Sequence, residues 1–188
     1  MTPGIRTEPF TATRRFPPLF ALMGAHGGSG AGTLATMWAP AVDTQGLWPA
    51  NQSSTQRVIV VAREHMVGIA AAAAVLRQAD AGQIPPGVEV HGLVTVAARP
   101  GKSPKEVRRF AATIAELVPV WWQIGWVDEL LSALPGDLPV WTPGDAVQVT
   151  RRSSTGLATV PSAIAQTGLA IATHFADTRA ALTEKEFA

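Results

Sequence analysis

The chain has 188 residues with 15 basic and 14 acidic side chains, a formal net charge of +1, so no global charge draws it to nucleic acid or to an anionic lipid surface. A hydrophobic fraction of 47% against 15% charged excludes a disordered chain, in spite of 17 Gly and 15 Pro. The absence of cysteine excludes disulfides and thiolate metal sites.

Residues 1–16 are polar and proline-bearing, with Arg6, Arg14 and Arg15, and are expected to form a flexible or surface-draped N-terminal arm. They contain no long apolar run, which argues against a secretory signal, and a cytoplasmic location is the expectation. Leu19-Phe20-Ala21-Leu22-Met23 predicts the first strand. It runs directly into Gly24-Ala25-His26-Gly27-Gly28-Ser29-Gly30-Ala31-Gly32-Thr33-Leu34, and a short helix is predicted from Thr33 to about Ala41. Pro40, Gly46, Pro49, Asn51, Ser53 and Ser54 then mark a loop.

Val58-Ile59-Val60-Val61 is a continuous β-branched run, as in a strand covered on both faces of a parallel sheet. The alanine-rich segment from about His65 to Ala79 predicts a helix ending near Gly82, and Val88 to Ala98 holds a third strand centred on Leu93-Val94-Thr95-Val96. Ser103, Pro104 and Glu106 have the spacing of an N-cap, a first helical position and a capping box, predicting a helix to about Leu117. Val120-Trp121-Trp122-Gln123-Ile124 is the fourth strand.

That alternation predicts an α/β fold: a parallel sheet of about four strands with flanking helices, and the glycine-rich turn at the carboxyl end of the first strand, where open sheets bind ligands. The expected organisation is an α/β domain over residues 17–134, an irregular linker over 135–160 and a C-terminal helix over 161–188. In that helix Ile164, Ile171, Phe175 and Leu182 gather on one face, and Gly168 is expected to interrupt it. Its acidic residues Asp177, Glu184 and Glu186 offset Arg179 and Lys185, unlike the basic face of a membrane-surface helix. The longest apolar stretch, Gly68 to Leu76, is too short for the roughly 20 residues of a membrane span, so no membrane insertion is expected.

Strand, glycine-rich turn and helix form the layout of a phosphate-binding loop, in which consecutive backbone N–H groups point into one concavity. The stretch resembles the deviant P-loop of the ParA/MinD group of ATPases, G-K-G-G-x-G-K-[ST]-T. Gly27, Gly28, Gly30 and Thr33 match that pattern, and Ala25 stands in place of its first glycine. His26 replaces the signature lysine, Ala31 the phosphate-binding lysine and Gly32 the magnesium-binding Ser/Thr. The chain also resembles, through about residue 130, a family of small actinobacterial proteins of unassigned role often found near mobile elements.

What the resemblance implies is a reduced P-loop NTPase-like fold with His26, Gly27, Gly28, Ser29, Gly30, Ala31, Gly32 and Thr33 as the residues facing a nucleotide or phosphate. Between the first helix and Val58 the sequence shows only Asp43 within a Gly/Pro/Ser/Asn loop, with no apolar strand ending in aspartate. Phosphoryl transfer depends on positioned charge, so the missing groups imply a pseudo-ATPase with no meaningful hydrolysis. The resemblance implies a binding or regulatory role with a protein partner or a second copy, in a mobile-element or secretion-related system. Val96-Ala97-Ala98-Arg99 also lacks the asparagine that reads adenine in the group, while Ile124-Gly125-Trp126-Val127-Asp128 resembles its base-lining Ile-Pro-x-Asp loop.

Two alternatives stay open. Arg63, Arg99 and Lys102 follow predicted strands on the loop side and offer substitute cations for a working nucleotide site. Gly30-x-Gly32-x-x-Ala35 also fits a dinucleotide fingerprint, with the next strand ending at Arg63-Glu64 and the arginine suited to the 2′-phosphate of NADP, as in a reductase. His65, His91 and His174 have no metal-ligand spacing, and Gly28-Ser29-Gly30 is not a nucleophile elbow. Trp121 and Trp122 should face opposite sides of the sheet, and with Trp126 they form either core or a docking surface.

Overall fold

The computed structural model describes residues 3–10, 17–147 and 157–186, with side chains to residue 178. The main sheet has five strands: β2 (Phe20–Gly24), β3 (Ala41–Asp43), β5 (Arg57–Glu64), β6 (Glu89–Ala97) and β7 (Trp121–Ile124). Every pairing is parallel, and the spatial order is β3-β2-β5-β6-β7. The chain steps from β2 out to β3 on one side and then back to β5 on the other. That reversal makes the carboxyl end of β2 a topological switch point, where an open sheet leaves a crevice.

The two faces bury alternate residues of each strand. Phe20, Leu22, Ile59, Val61, Val94 and Val96 pack beneath α1 (Ala31–Met37) and α4 (Ser162–Glu186). Ala21, Met23, Val58, Val60 and Leu93 pack beneath α2 (Met66–Asp80) and α3 (Lys105–Ala115). Trp122 joins the first cluster and Trp121 the second, as their alternation requires. Trp121 Nε1 donates to the buried Thr95 hydroxyl at 3.0 Å.

The α/β class and the parallel sheet are as expected from sequence; the differences are local. β3 is a fifth strand, only three residues long, in the segment expected to be loop. Pro40 before it and the Gln45-Gly46 turn after it, both with positive φ, leave too few residues to show a period. Residues 3–10 of the expected arm do not hang free. Ile5–Arg6 (β1) pairs in parallel with Trp48–Pro49 (β4), Asn51 Nδ2 donates to the Thr7 carbonyl at 2.8 Å, and Arg6 lies over the Phe10 ring. Arg14 and Arg15 lie outside the described residues.

The α3 capping box does not form. Ser103 is buried and its hydroxyl donates to the Glu64 carbonyl at 3.4 Å, while Pro104 takes the cap position with no side-chain hydrogen bond. Its hydroxyl ties the helix lead to the end of β5 instead. In the expected linker, Trp141 is 3% exposed and bonds by its backbone to Met37 and Ala39, so this stretch is docked; residues 148–156 lie outside the described residues. Helix α4 passes through Gly168 without a break. A Cβ there would stand 2.7 Å from Trp38 Nε1 and 3.0 Å from the Trp141 ring, so glycine is what lets the helix lie flat on two indoles. Trp38 Nε1 donates to the Ile164 carbonyl at 3.0 Å on the same contact. The Leu182 side chain lies outside those described.

Candidate functional site

The carboxyl ends of β3, β5, β6 and β7 border a cleft of about 860 Å3, within the usual size range of a small-molecule site. One end is polar: Gly30, Gly32 and Thr33 at the start of α1, Asp43 from the tip of β3 and Arg63 from the tip of β5. The other end is apolar, formed by Ile124, Val127, Leu130, Leu138 and Ile164, with Trp126 beside them. The apolar wall is carried by two 3-10 turns, Asp128–Leu131 and Pro135–Asp137, neither of which buries a residue completely.

The glycine turn is bent by two left-handed residues, Gly28 at φ 78° and Gly30 at φ 99°, a conformation that glycine adopts without steric cost. Ser29 closes it inward. Its N–H donates to the His26 carbonyl at 3.2 Å, its hydroxyl accepts from the Ala31 N–H at 3.3 Å, and its side chain is 3% exposed. The N–H groups of Gly28, Gly30, Gly32 and Thr33 meet no acceptor among the described residues. Those of Gly30, Gly32 and Thr33 belong to the cleft lining.

Two side chains hold this turn to the sheet. His26 Nε2 accepts the Arg63 N–H at 3.2 Å, while its Nδ1 meets the Gly27 carbonyl at 2.8 Å; the first contact assigns the donor proton to Nδ1. Arg63 Nε donates to the Gly28 carbonyl at 3.1 Å and Nη1 to the Ala97 carbonyl at 2.9 Å, so its guanidinium spans the tips of β5 and β6. The start of α2 presses on the same latch, because a Cβ at Gly68 would collide with the Arg63 carbonyl and with His26 Nε2. His65 caps that helix, its Nδ1 accepting from the Gly68 N–H at 3.0 Å, a cap that the sequence did not advertise.

The eight residues expected to face a ligand therefore divide. Gly30, Gly32 and Thr33 line the cleft. Gly27 and Gly28 are exposed on the outer side of the turn, and Ser29 and Ala31 are buried beneath it, Ala31 at 4% exposure against Leu34 and Ala35. His26 is a latch, not a cleft residue. Of the three candidate cations only Arg63 reaches the cleft. Arg99 bonds the adjacent Pro100 carbonyl.

Asp43 is the residue that sequence reasoning misplaced. The expectation of no apolar strand ending in aspartate is wrong, because Ala41-Val42-Asp43 is such a strand and pairs directly with β2. Asp43 Oδ1 accepts the Gln45 N–H at 2.8 Å, and Oδ2 stands 3.2 Å from where a Cβ on Gly32 would lie. The signal was the tripeptide itself, flanked by Pro40 and the Gln45-Gly46 turn. The same strand moves the end of the second strand in the dinucleotide reading from Arg63 to Asp43, an acid suited to a ribose 2′-hydroxyl and not to the 2′-phosphate of NADP.

Among the described residues no three His, Asp or Glu side chains are placed to hold a metal ion, and no helix is long and apolar enough to cross a membrane. Residues 19–136 match a family of unknown function, DUF6668. The chain belongs to that family. No curated protein and no solved structure matches it. The DUF6668 match takes in the whole main sheet, the glycine turn, Asp43 and Arg63, and leaves out β1 and α4. The polar end of the cleft thus lies within the matched residues, whereas Ile164 and Leu138 on the apolar side come from outside them.

Proposed function

We propose that the protein is a degenerate P-loop protein of the ParA/MinD kind that binds a small molecule and does not hydrolyse nucleotides, acting as a binding or regulatory component. The observation that carries this reading is the pair Ala31 and Gly32. At the position of the phosphate-binding lysine stands a methyl group that is 4% exposed, and at the position of the metal-binding hydroxyl there is no side chain at all. Phosphoryl transfer is accelerated almost entirely by such positioned charges. The unpartnered amides at the switch point support the binding half of the reading. Purified protein is expected to show no magnesium-dependent ATP turnover above a buffer control; robust turnover would overturn the proposal.

The working context that goes with it is a cytoplasmic protein acting with a protein partner or a second copy of itself, in a mobile-element or secretion-related system, without insertion into a membrane and without nucleic acid as a ligand. The resemblance of the glycine turn supports the system, and the balanced formal charge of +1 supports the last point.

One observation favours a second reading, a working nucleotide binder or weak NTPase. Asp43 reaches over Gly32, where a metal-associated aspartate is useful, and Arg63 offers a cation at the same end of the cleft. Titration with MgATP, MgGTP and NADPH, repeated on Gly30→Val, separates the readings. Saturable MgATP or MgGTP binding that the variant loses favours the nucleotide site, because valine resists the φ of 99° that shapes the turn. NADPH binding alone would favour a reductase, although the acid at the end of β3 opposes the 2′-phosphate of NADP.

A further inference from the structure

The two ends of the cleft differ in a way that narrows what fits. Among the described residues Asp43 and Arg63 are the only charged ones in its lining, so their side chains sum to zero charge. Arg63 spends two of its five N–H donors on the Gly28 and Ala97 carbonyls, leaving the remainder for a ligand atom. Asp43 has a single hydrogen-bond partner among the described residues, the Gln45 N–H, and its second oxygen lies over Gly32. A triphosphate would bring several negative charges to one arginine and one opposing carboxylate. A head with a single negative charge meets the loop amides and Arg63 without that mismatch.

The opposite end carries hardly any side-chain hydrogen-bonding capacity. Ile124, Val127, Leu130, Leu138 and Ile164 have none, and the indole N–H of Trp126 is already donated to Asp128 Oδ1 at 2.7 Å. A ribose and base laid here would leave polar atoms unpaired, whereas an apolar chain or ring loses nothing on entering. Leu131 continues this surface to the rim, where it is 72% exposed.

We infer that the cleft takes an amphipathic monoanion: a small head of about one negative charge held between Arg63 and the amides of Gly30 and Gly32, joined to an apolar chain or ring lying along the Ile124–Leu138 wall. This rests on the reading that the cleft is a ligand site and replaces the nucleotide with a different ligand class. A long-chain carboxylate and a singly ionised alkyl phosphate share the required chemistry, and chains of equal length with either head tell the two apart.

The full chain is titrated with decanoate, decyl phosphate, butyrate, butyl phosphate, inorganic phosphate and MgATP, all below micelle-forming concentration, by calorimetry and by tryptophan fluorescence. One decyl ligand is expected to bind at one site per chain, at least tenfold more tightly than its butyl homologue. Asp43→Asn, which removes the opposing charge, should tighten binding about threefold to tenfold. Arg63→Gln should weaken it at least tenfold, and Leu131→Ser should reduce the chain-length advantage. MgATP binding with no decyl binding overturns the inference and leaves the ligand site standing. No binding of any probe overturns both. Decyl binding at several sites, or binding indifferent to Asp43→Asn and Leu131→Ser, overturns the inference as detergent-like adsorption; these two variants stand even if Arg63→Gln disturbs the turn.

Discussion

Ala31 shows why restoring a lost side chain would not restore a lost activity. Its methyl group is buried at 4% exposure against Leu34 and Ala35, so a lysine there must displace packed neighbours to reach the cleft. Ala31→Lys is expected to cost about 1–3 kcal/mol by urea denaturation and to yield no ATP turnover. Gly32 is the opposite case. It is exposed and helical, and an added hydroxymethyl group would meet only the movable Asp43 carboxylate. Gly32→Ser should therefore stabilise the fold by roughly 0.5 kcal/mol through helix propensity alone, read as an upward shift of the urea midpoint.

His91 makes the stability depend on pH. Burial depresses its pKa below the usual 6.5, and neighbouring His174 and Arg57 push the same way, outweighing the opposing pull of the Glu89 carboxylate with which it is bonded. Because the folded chain disfavours the proton more than the unfolded chain does, the stabilisation is complete above pH 6.5 and is lost as pH falls below it. Stability measured from pH 7.5 down to 5 should fall with a slope of up to about 1.4 kcal/mol per pH unit from this one group. His91→Phe should flatten that segment of the curve; an unchanged slope would assign the effect elsewhere.

At the scale of elements, α4 depends on Gly168. Gly168→Val would drive two methyl groups into Trp38 and Trp141, breaking the indole bond to the Ile164 carbonyl as well. A loss of about 2–4 kcal/mol is expected, visible as an earlier thermal transition and as a red shift of tryptophan emission. The turn at the head of α1 rests in the same way on a helix that follows it in sequence. Gly68→Ala should unseat His26 and Arg63 together, and so change proteolytic sensitivity around the glycine turn while leaving α4 protected. Equal loss of protection in both places would deny the latch its local character.

For the whole molecule, the sequence shows clearly what is repeated and long. β-branched runs at Val58–Val61 and Val94–Val96 betray strands covered on both faces, and their alternation with helical segments dictates a parallel sheet. What it hides is short or relational. Ala41–Asp43 is too brief to show a period, Ile5–Arg6 and Trp48–Pro49 are strands only by virtue of each other, and His26 reads as a loop residue until Arg63 is set beside it. The glycine turn was legible as a turn at the ligand-binding end of the sheet; that its Ser29 and Ala31 face inward depends on side-chain packing that no motif records.

The order in which the sheet faces are covered also bears on how the chain reaches this state. The face of Phe20, Leu22, Ile59 and Val94 shares its cover between α1, Trp141 and α4, the last described element, so during synthesis that cover is complete only when a helix that leaves the ribosome after the described strands has arrived. Among the described residues no hairpin shelters them meanwhile, because every strand pairing there is parallel and needs a crossover. Nascent chains halted before Val160 should therefore bind chaperones and aggregate, and release of the remaining segment should be the event that makes them soluble.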